Sequence, residues 1–344
     1  MQTKSELAQS TIDRDIASKD PAAITDSTTK RRLLPLLLLT TMACTILLLD
    51  AVLPLAGFWF HTALLTQFGQ WPLLPTHLLF PGWTVSSSLT SFKPAPPPVA
   101  LSWLEVPLLL TAFFMVFLAY VFALLRLPQL IKPLRFILYS TLLLGALYML
   151  IPVVTSPDIF SYISYARIGV IYHLNPLTTL PTVITTDPVY IHLYWNNQPS
   201  AYGPTWVAIS SSLQWITTLL FGAQALLPMV LGLRFFGLLS HLCSTLLIWS
   251  IAGRLQRAPG PVSERKRVLA TLAFAWNPFL LFEACVNAHN DASLLLLILL
   301  ATWFLLPGKQ RINGHLIAMF MLALATCLKL NVVVLLPFFF IFIW

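Results

Sequence analysis

Asp158 stands four residues after an apolar run that ends at Val154, and it opens the segment Asp-Ile-Phe-Ser-Tyr-Ile-Ser-Tyr-Ala-Arg-Ile-Gly. Asp158, Tyr162, Tyr165, Gly169 and Tyr172 recur at intervals of 4-3-4-3, which puts them on one face of a helix. That face would hold one carboxylate flanked by phenols, a set able to accept a proton and to hydrogen-bond a polar ligand. The neighbouring stripe of Ile159, Ile163, Ala166 and Val170 is expected to rest on lipid. Following Ser156-Pro157, Asp158 is also a natural helix-start acid, so capping is the plainer alternative for this residue alone.

A second polar group follows far along the chain. Glu283, Asn287 and Asp291 fall at i, i+4 and i+8, with His289-Asn290 between them. An ionisable group such as Glu283 inside an apolar run usually faces a functional cavity or a partner; a Glu–Asn hydrogen bond that fixes helix packing is the plainer reading. His289 and Asp291 alone make a weak metal signal, and a polar or phosphate contact is the better expectation. Two cations lie inside apolar runs, Arg234 and Lys329. Each either snorkels or pairs with Glu283, or binds a phosphate, for which Arg offers a fork and Lys a point charge. His241 and His315 read as ordinary helix or interface residues. No Walker loop, GxGxxG or GxSxG pattern is present, so nucleotide binding and serine hydrolysis have no sequence support.

The elements that must position these groups are set by composition. Hydrophobic residues make up 58% of the 344 and charged ones 9%, with mean hydropathy +0.81, which indicates a polytopic membrane protein. The net charge is +8, yet thirteen of the twenty Lys and Arg sit in four clusters between apolar runs: Lys30 to Arg32, Arg126 to Arg135, Arg254 to Arg267, and Lys309 with Arg311. That is a positive-inside pattern and not a nucleic-acid-binding stripe. Cys44, Cys243, Cys285 and Cys327 all fall in apolar spans without metal-ligand spacing and are read as small core residues.

Seven runs are long enough to cross a bilayer: 33–56, 104–126, 136–156, 227–252, 268–289, 292–306 and 315–337. With the basic clusters inside, the loops at 57–103, 157–226 and around His289-Asn290-Asp291 face outward. Segment 204–222 carries an apolar stripe of Trp206, Ile209, Leu213, Ile216 and Leu220 opposite Ser210, Gln214 and Thr217, the pattern of an amphipathic helix in the interface plane. The expected fold is therefore all-α, with about seven transmembrane helices plus interfacial helices in a large outer loop. It divides into a cytosolic disordered tail (1–32), a transmembrane hairpin with a Pro-rich outer loop (33–135) and a membrane core (136–344). A frame that stops at Trp344 inside an apolar run reads as a fragment with later helices to follow.

Ser156-Pro157-Asp158 with Tyr162 and Arg167, then Asn175-Pro176-Leu177, then Tyr202-Gly203-Pro204, resembles the first large loop of GT-C glycosyltransferases. The closest resemblance is to bacterial polyprenol-phosphate-mannose-dependent mannosyltransferases, including the α-1,6 branch. Asn277-Pro278, Glu283, His289-Asn290-Asp291 and Lys329 resemble the later helices and outer loop of that family, and the likeness covers roughly 136–337.

The resemblance implies that a sugar, mannose above all, moves from a polyprenyl phosphate to an acceptor hydroxyl of a glycan or lipid-linked acceptor on the outer face of the cell membrane. It makes Asp158 the catalytic loop acid, with Arg234, Lys329 and Arg167 on the donor phosphate. Tyr162, Tyr165, Trp195 and Asn196 then grip the sugar. Asn175, Tyr202, Glu283, His289, Asn290 and Asp291 complete the substrate-binding set. In oligosaccharyltransferase relatives an acidic metal-binding motif occupies the place of His289-Asn290-Asp291; given that departure, no ion or other cofactor is assigned. A transporter or lipid flippase, or a non-catalytic remnant of the transferase family, is the alternative.

Overall fold

The computed structural model describes residues 21–52, 99–129, 134–151, 156–256, 260–306 and 313–343. Every described element is helical: α1 Pro21–Val52, α2 Val99–Arg126, α3 Leu134–Tyr148, α4 Asp158–Val170, α5 Pro204–Phe221, α6 Leu227–Arg254, α7 Pro261–Ala275, α8 Pro278–Cys285, α9 Asp291–Leu305, α10 Gly314–Leu328 and α11 Leu336–Ile343, with short 3-10 turns between some of them. The expected tail up to residue 20 and the Pro-rich stretch 87–98 lie outside the described residues, and α1 is already helical from Pro21.

Among the described residues, three helices are long and apolar enough to cross a membrane: α1 over Leu33–Asp50, α2 over Pro107–Gln129, and α6. A fourth is the pair α7 and α8, bent by 43° at its break. This departs from a single straight span over 268–289. Pro278 cannot donate its nitrogen to the ladder, and the Asn277 side chain takes over the orphaned N–H groups of Phe279 and Leu280 at 3.1 and 3.3 Å. The remaining apolar helices α3, α9 and α10 have 15 residues each, about 22 Å of helical rise. The expected span 315–337 is likewise interrupted: α10 ends at Leu328, and Lys329 is extended (φ −147°, ψ 115°) before a 3-10 turn.

Two apolar clusters fill the interior and share α6. One joins α1, α2, α3, α7 and α8 around Tyr148, Leu238, Trp276 and Phe282; the other joins α4, α5, α9 and α10 around Phe160, Tyr162, Trp206 and Leu322. Large side chains such as Leu110, Phe114, Leu125 and Phe320 point outward, an apolar exterior of the kind a lipid environment covers.

α4 differs from expectation on its apolar side. Ile159, Ile163 and Ala166 are fully buried in protein rather than presented to lipid, because α5 and α6 pack across the helix. In α5 the amphipathic pattern is present but its apolar stripe is divided: Trp206 is buried, Ile209 and Leu213 pack on the core, and Ile216 and Leu220 face out. Ser210, Gln214 and Thr217 face α4, α6 and α10, while Ile216, Leu219 and Leu220 lie on the outside. Polar groups packed inward with apolar ones outward is the order an apolar surrounding imposes.

Candidate active site

The site forms at the seam between the two clusters, where α4 begins and the α8–α9 connection passes. No side chain caps α4 at Pro157; instead the Asp158 N–H reaches the Ser156 hydroxyl at 3.3 Å. The Asp158 carboxylate turns to His289, with Oδ2 3.7 Å from Nε2. The Ser156 hydroxyl lies 3.2 Å from the same nitrogen.

His289 is held by its own chain. After α8 the backbone turns at Ala288, which has a left-handed φ of 52°, a conformation that costs a non-glycine residue about 1–2 kcal/mol. The turn lets the His289 N–H donate to the Glu283 carbonyl at 2.9 Å, while Nδ1 meets Glu283 Oε2 at 2.8 Å. Asn287 Nδ2 donates to the same carboxylate oxygen at 3.1 Å. Burial alone would lower the pKa of His289. The hydrogen bond to Glu283 and the charges of Glu283, Asp158 and Asp291 outweigh burial and hold it above the ordinary imidazole value.

Phenols close the other side of Asp158. The Tyr162 ring packs edge-on against Tyr202 (4.8 Å) and Trp206 (5.0 Å). Burial first, then the Asp158 charge among other neighbours, pushes the hydroxyls of Tyr162, Tyr165 and Tyr202 upward, so all three stay protonated as donors. Asn290 is itself buried, with neither side-chain amide atom hydrogen-bonded among the described residues.

Lys329 arrives from α10. Its Nζ donates to Asp291 Oδ1 at 2.7 Å, with both side chains partly exposed. Gly203 brings Tyr202 against this end of α10: its N–H donates to the Leu328 carbonyl at 3.1 Å, and a Cβ there would lie 2.0 Å from the Cys327 carbonyl oxygen. Only glycine permits that approach. A cleft of about 290 Å³ opens beside Glu283, His289 and Asp291, walled by Phe274, Phe279, Leu280 and Leu295. Among the described residues no group of three or more His, Cys, Asp or Glu side chains is arranged to hold a metal ion.

The other expected site residues lie elsewhere or serve the scaffold. Arg167 is 1% exposed and forks onto Asp187 with three bonds of 2.7–2.9 Å; its remaining nitrogen donates to the Ala223 carbonyl at 2.6 Å. Arg234 is fully buried and donates to the backbone carbonyls of Val286, Met149 and Ile151. It therefore ties the end of α3 to the α8–α9 connection, the two strands of chain that lead to Asp158 and His289. Both guanidiniums are buried and engaged by protein acceptors away from Asp158, and of the three expected phosphate cations Lys329 is the one that stands at the site. Asn175 builds an exposed turn, accepting the Leu177 N–H at 3.0 Å. Trp195 is 44% exposed and packs on Tyr194. Asn196 is half-buried in the same loop, which touches the site through the Tyr165 hydroxyl on the Gln198 carbonyl (3.4 Å).

Two participants were missed by sequence reasoning. Asp187 carries no motif, and only the fold shows it as the anchor of Arg167, of the Tyr172 hydroxyl and of the Val189 N–H. Asp50 is buried in α1 within the field of Arg234; as an acid inside an apolar run it carried a readable signal.

A family model described as alpha-(1->6)-mannopyranosyltransferase, N-terminal domain, matches residues 78–344. No curated protein and no solved structure matches the chain.

Proposed function

The chain belongs to the alpha-(1->6)-mannopyranosyltransferase family, and from that premise we propose that it transfers mannose from a polyprenyl-phosphate donor to a hydroxyl of a glycan or lipid-linked acceptor at the outer face of the membrane. The observation that carries this reading is the meeting of Asp158, His289 and the Lys329–Asp291 pair beside the Tyr162–Tyr202 wall. A carboxylate, a cation and protonated phenols are the groups such a transfer needs. The carboxylate takes the proton of the acceptor hydroxyl as the anomeric carbon develops oxocarbenium character. The leaving group is already a phosphate, so it needs a cation to stabilise its charge and no proton donor. Asp158 fits the first role and Lys329 the second. Tyr162, Tyr165, Tyr202, Trp195 and Asn196 are the proposed contacts of the sugar and acceptor.

In this reading α1, α2, α3, α6, the α7–α8 pair, α9 and α10 make seven crossings, with α4 and α5 in the outer loop. The orientation draws support from α9. Asp291 at its start belongs to the site, while near its other end the Trp303 carbonyl and ring receive Arg254 of the basic loop (2.8 and 4.0 Å). The site and that basic loop are therefore at opposite ends of α9, and the positive-inside rule puts the basic end in the cytoplasm.

The test uses membranes containing the full chain, supplied with radiolabelled polyprenyl-phosphate mannose and candidate oligosaccharide acceptors. Transfer from the lipid donor is expected, and Asp158→Asn should abolish it with normal membrane insertion. Incorporation from a nucleotide sugar but never from the lipid would overturn the donor assignment. Full turnover by Asp158→Asn would overturn the base.

A further inference from the structure

We propose that Glu283 and His289 form a proton relay behind Asp158, so that the proton leaving the acceptor hydroxyl passes through Asp158 to Nε2 of His289. The proposal rests on the transferase reading above and gives this pair a role beyond binding substrate.

Glu283 decides the tautomer. Its carboxylate can only accept, so the 2.8 Å contact with Nδ1 places a hydrogen on that nitrogen. Nε2 is then the lone-pair face of the neutral ring, and it is the nitrogen that points to Ser156 Oγ (3.2 Å) and Asp158 Oδ2 (3.7 Å). A pair serving only to fix helix packing would have no need to aim its second nitrogen at the loop carboxylate. The Asp158–His289 separation is longer than a hydrogen bond, and catalytic bonds of this kind tighten when substrate is bound. The ring is rigidly presented, because the backbone of His289 is tied to Glu283 and Asn287 fixes the Glu283 carboxylate. An acid, a neutral imidazole and an orienting carboxylate in series is a recurrent way to move a proton without charging a lone base.

The step balances. The acceptor O–H bond breaks and its electron pair forms the new bond to the anomeric carbon. The bond from the anomeric carbon to the phosphate oxygen breaks, with its electron pair staying on the phosphate. The proton moves to the Asp158 carboxylate and then to His289 Nε2. The resulting imidazolium is about one-quarter exposed and passes the proton on to water.

Several titratable groups face His289: Asp158 from α4, Glu283 from α8, Asp291 from α9, and His241 of α6 across the cleft. Beyond them stand Lys329 on Asp291, and Tyr162 and Tyr202 around Asp158. The carboxylates dominate and favour the charged ring. As proton acceptor the ring must start neutral, so transfer must rise with pH through a value above that of free imidazole. Removing the Glu283 charge must move that limb to lower pH.

The experiment measures kcat and KM of the full chain in membranes against pH, with polyprenyl-phosphate mannose as donor, for the wild type, Glu283→Gln and His289→Gln. Gln at 283 keeps an oxygen for the Nδ1 hydrogen and removes the charge. Expected are an acidic limb in the wild type and its shift to lower pH in Glu283→Gln. His289→Gln should lose the limb and lower kcat by roughly 10²–10⁴-fold with little change in KM. A Glu283→Gln profile whose limb stays at the wild-type position, or a limb that survives in His289→Gln, overturns the relay and leaves a packing pair. Absence of transfer by the wild type at every pH overturns the transferase reading, and the relay with it.

Discussion

Glu283 and His289 are joined twice, backbone N–H to carbonyl at 2.9 Å and imidazole Nδ1 to carboxylate at 2.8 Å. The left-handed turn at Ala288 makes the double contact possible by bringing the chain back over the last turn of α8. A conformation costing about 1–2 kcal/mol is kept where it aims one ring nitrogen at Asp158.

Stability should register the same pair. The folded-state pKa of His289 is raised, so its protonated ring stabilises the fold fully below the unfolded value of about 6.5. That contribution is lost as pH rises through the folded value. The melting temperature of the solubilised wild type should therefore fall relative to His289→Gln over that window; parallel curves would show that the charge contributes nothing.

Lys329 should act on donor affinity. Under the role proposed for it, Lys329→Met removes a partly screened charge from beside the leaving phosphate and should raise the donor KM roughly tenfold, with a fall in kcat. Lys329→Arg should recover part of the loss. An unchanged donor KM in Lys329→Met would reduce the lysine to the ion partner of Asp291.

Asp187→Ala should be a folding variant. It leaves Arg167 buried without its counter-charge and strands the Tyr172 hydroxyl and the Val189 N–H, a change worth about 3–5 kcal/mol. Thermal unfolding in detergent, with proteolysis of the 171–203 loop as a second readout, measures it. Wild-type melting would contradict the anchoring role.

Gly203→Ala should separate the Tyr202 loop from α10, because the clash at Cys327 is with backbone on both sides. Overpacking of this kind costs typically 1–3 kcal/mol. Gly222 is the control. Its φ of 84° strains an alanine, but open space surrounds it; Gly222→Ala should destabilise while leaving donor KM intact, whereas Gly203→Ala should alter both.

Much of the site was legible locally. The 4-3-4-3 spacing after Asp158 gave the helix and its tyrosine face, whereas the cap and proline chemistry of Asn277-Pro278, which starts α8, went unused in a single span over 268–289. Distance in sequence is where legibility ended. Nothing near Arg167 predicts that it spends its fork on Asp187 across an irregular loop, and nothing near Arg234 points to carbonyls of α3. Hydrophobicity alone also made one span of 315–337, because no Gly or Pro stands at Lys329 to mark the break there, beside the Gly203 N–H bond to the Leu328 carbonyl. In α5 periodicity separates two faces without saying which one meets protein: the polar face is packed inward, and the apolar stripe is buried at Trp206 yet exposed at Ile216 and Leu220.

α9 begins at Asp291 and ends at Leu305, about 22 Å of rise against roughly 30 Å of hydrocarbon. In the seven-crossing reading, a stave that short obliges the lipid around it to thin, at a modest elastic cost per ångström of mismatch. Asp291 and its neighbours would then lie at the bottom of a dimple in the bilayer surface. A long-chain lipid drifting in the leaflet would meet the protein there with its headgroup drawn down toward Lys329. In that reading the membrane itself, thinned beside the short helices, would become part of how a lipid donor is delivered.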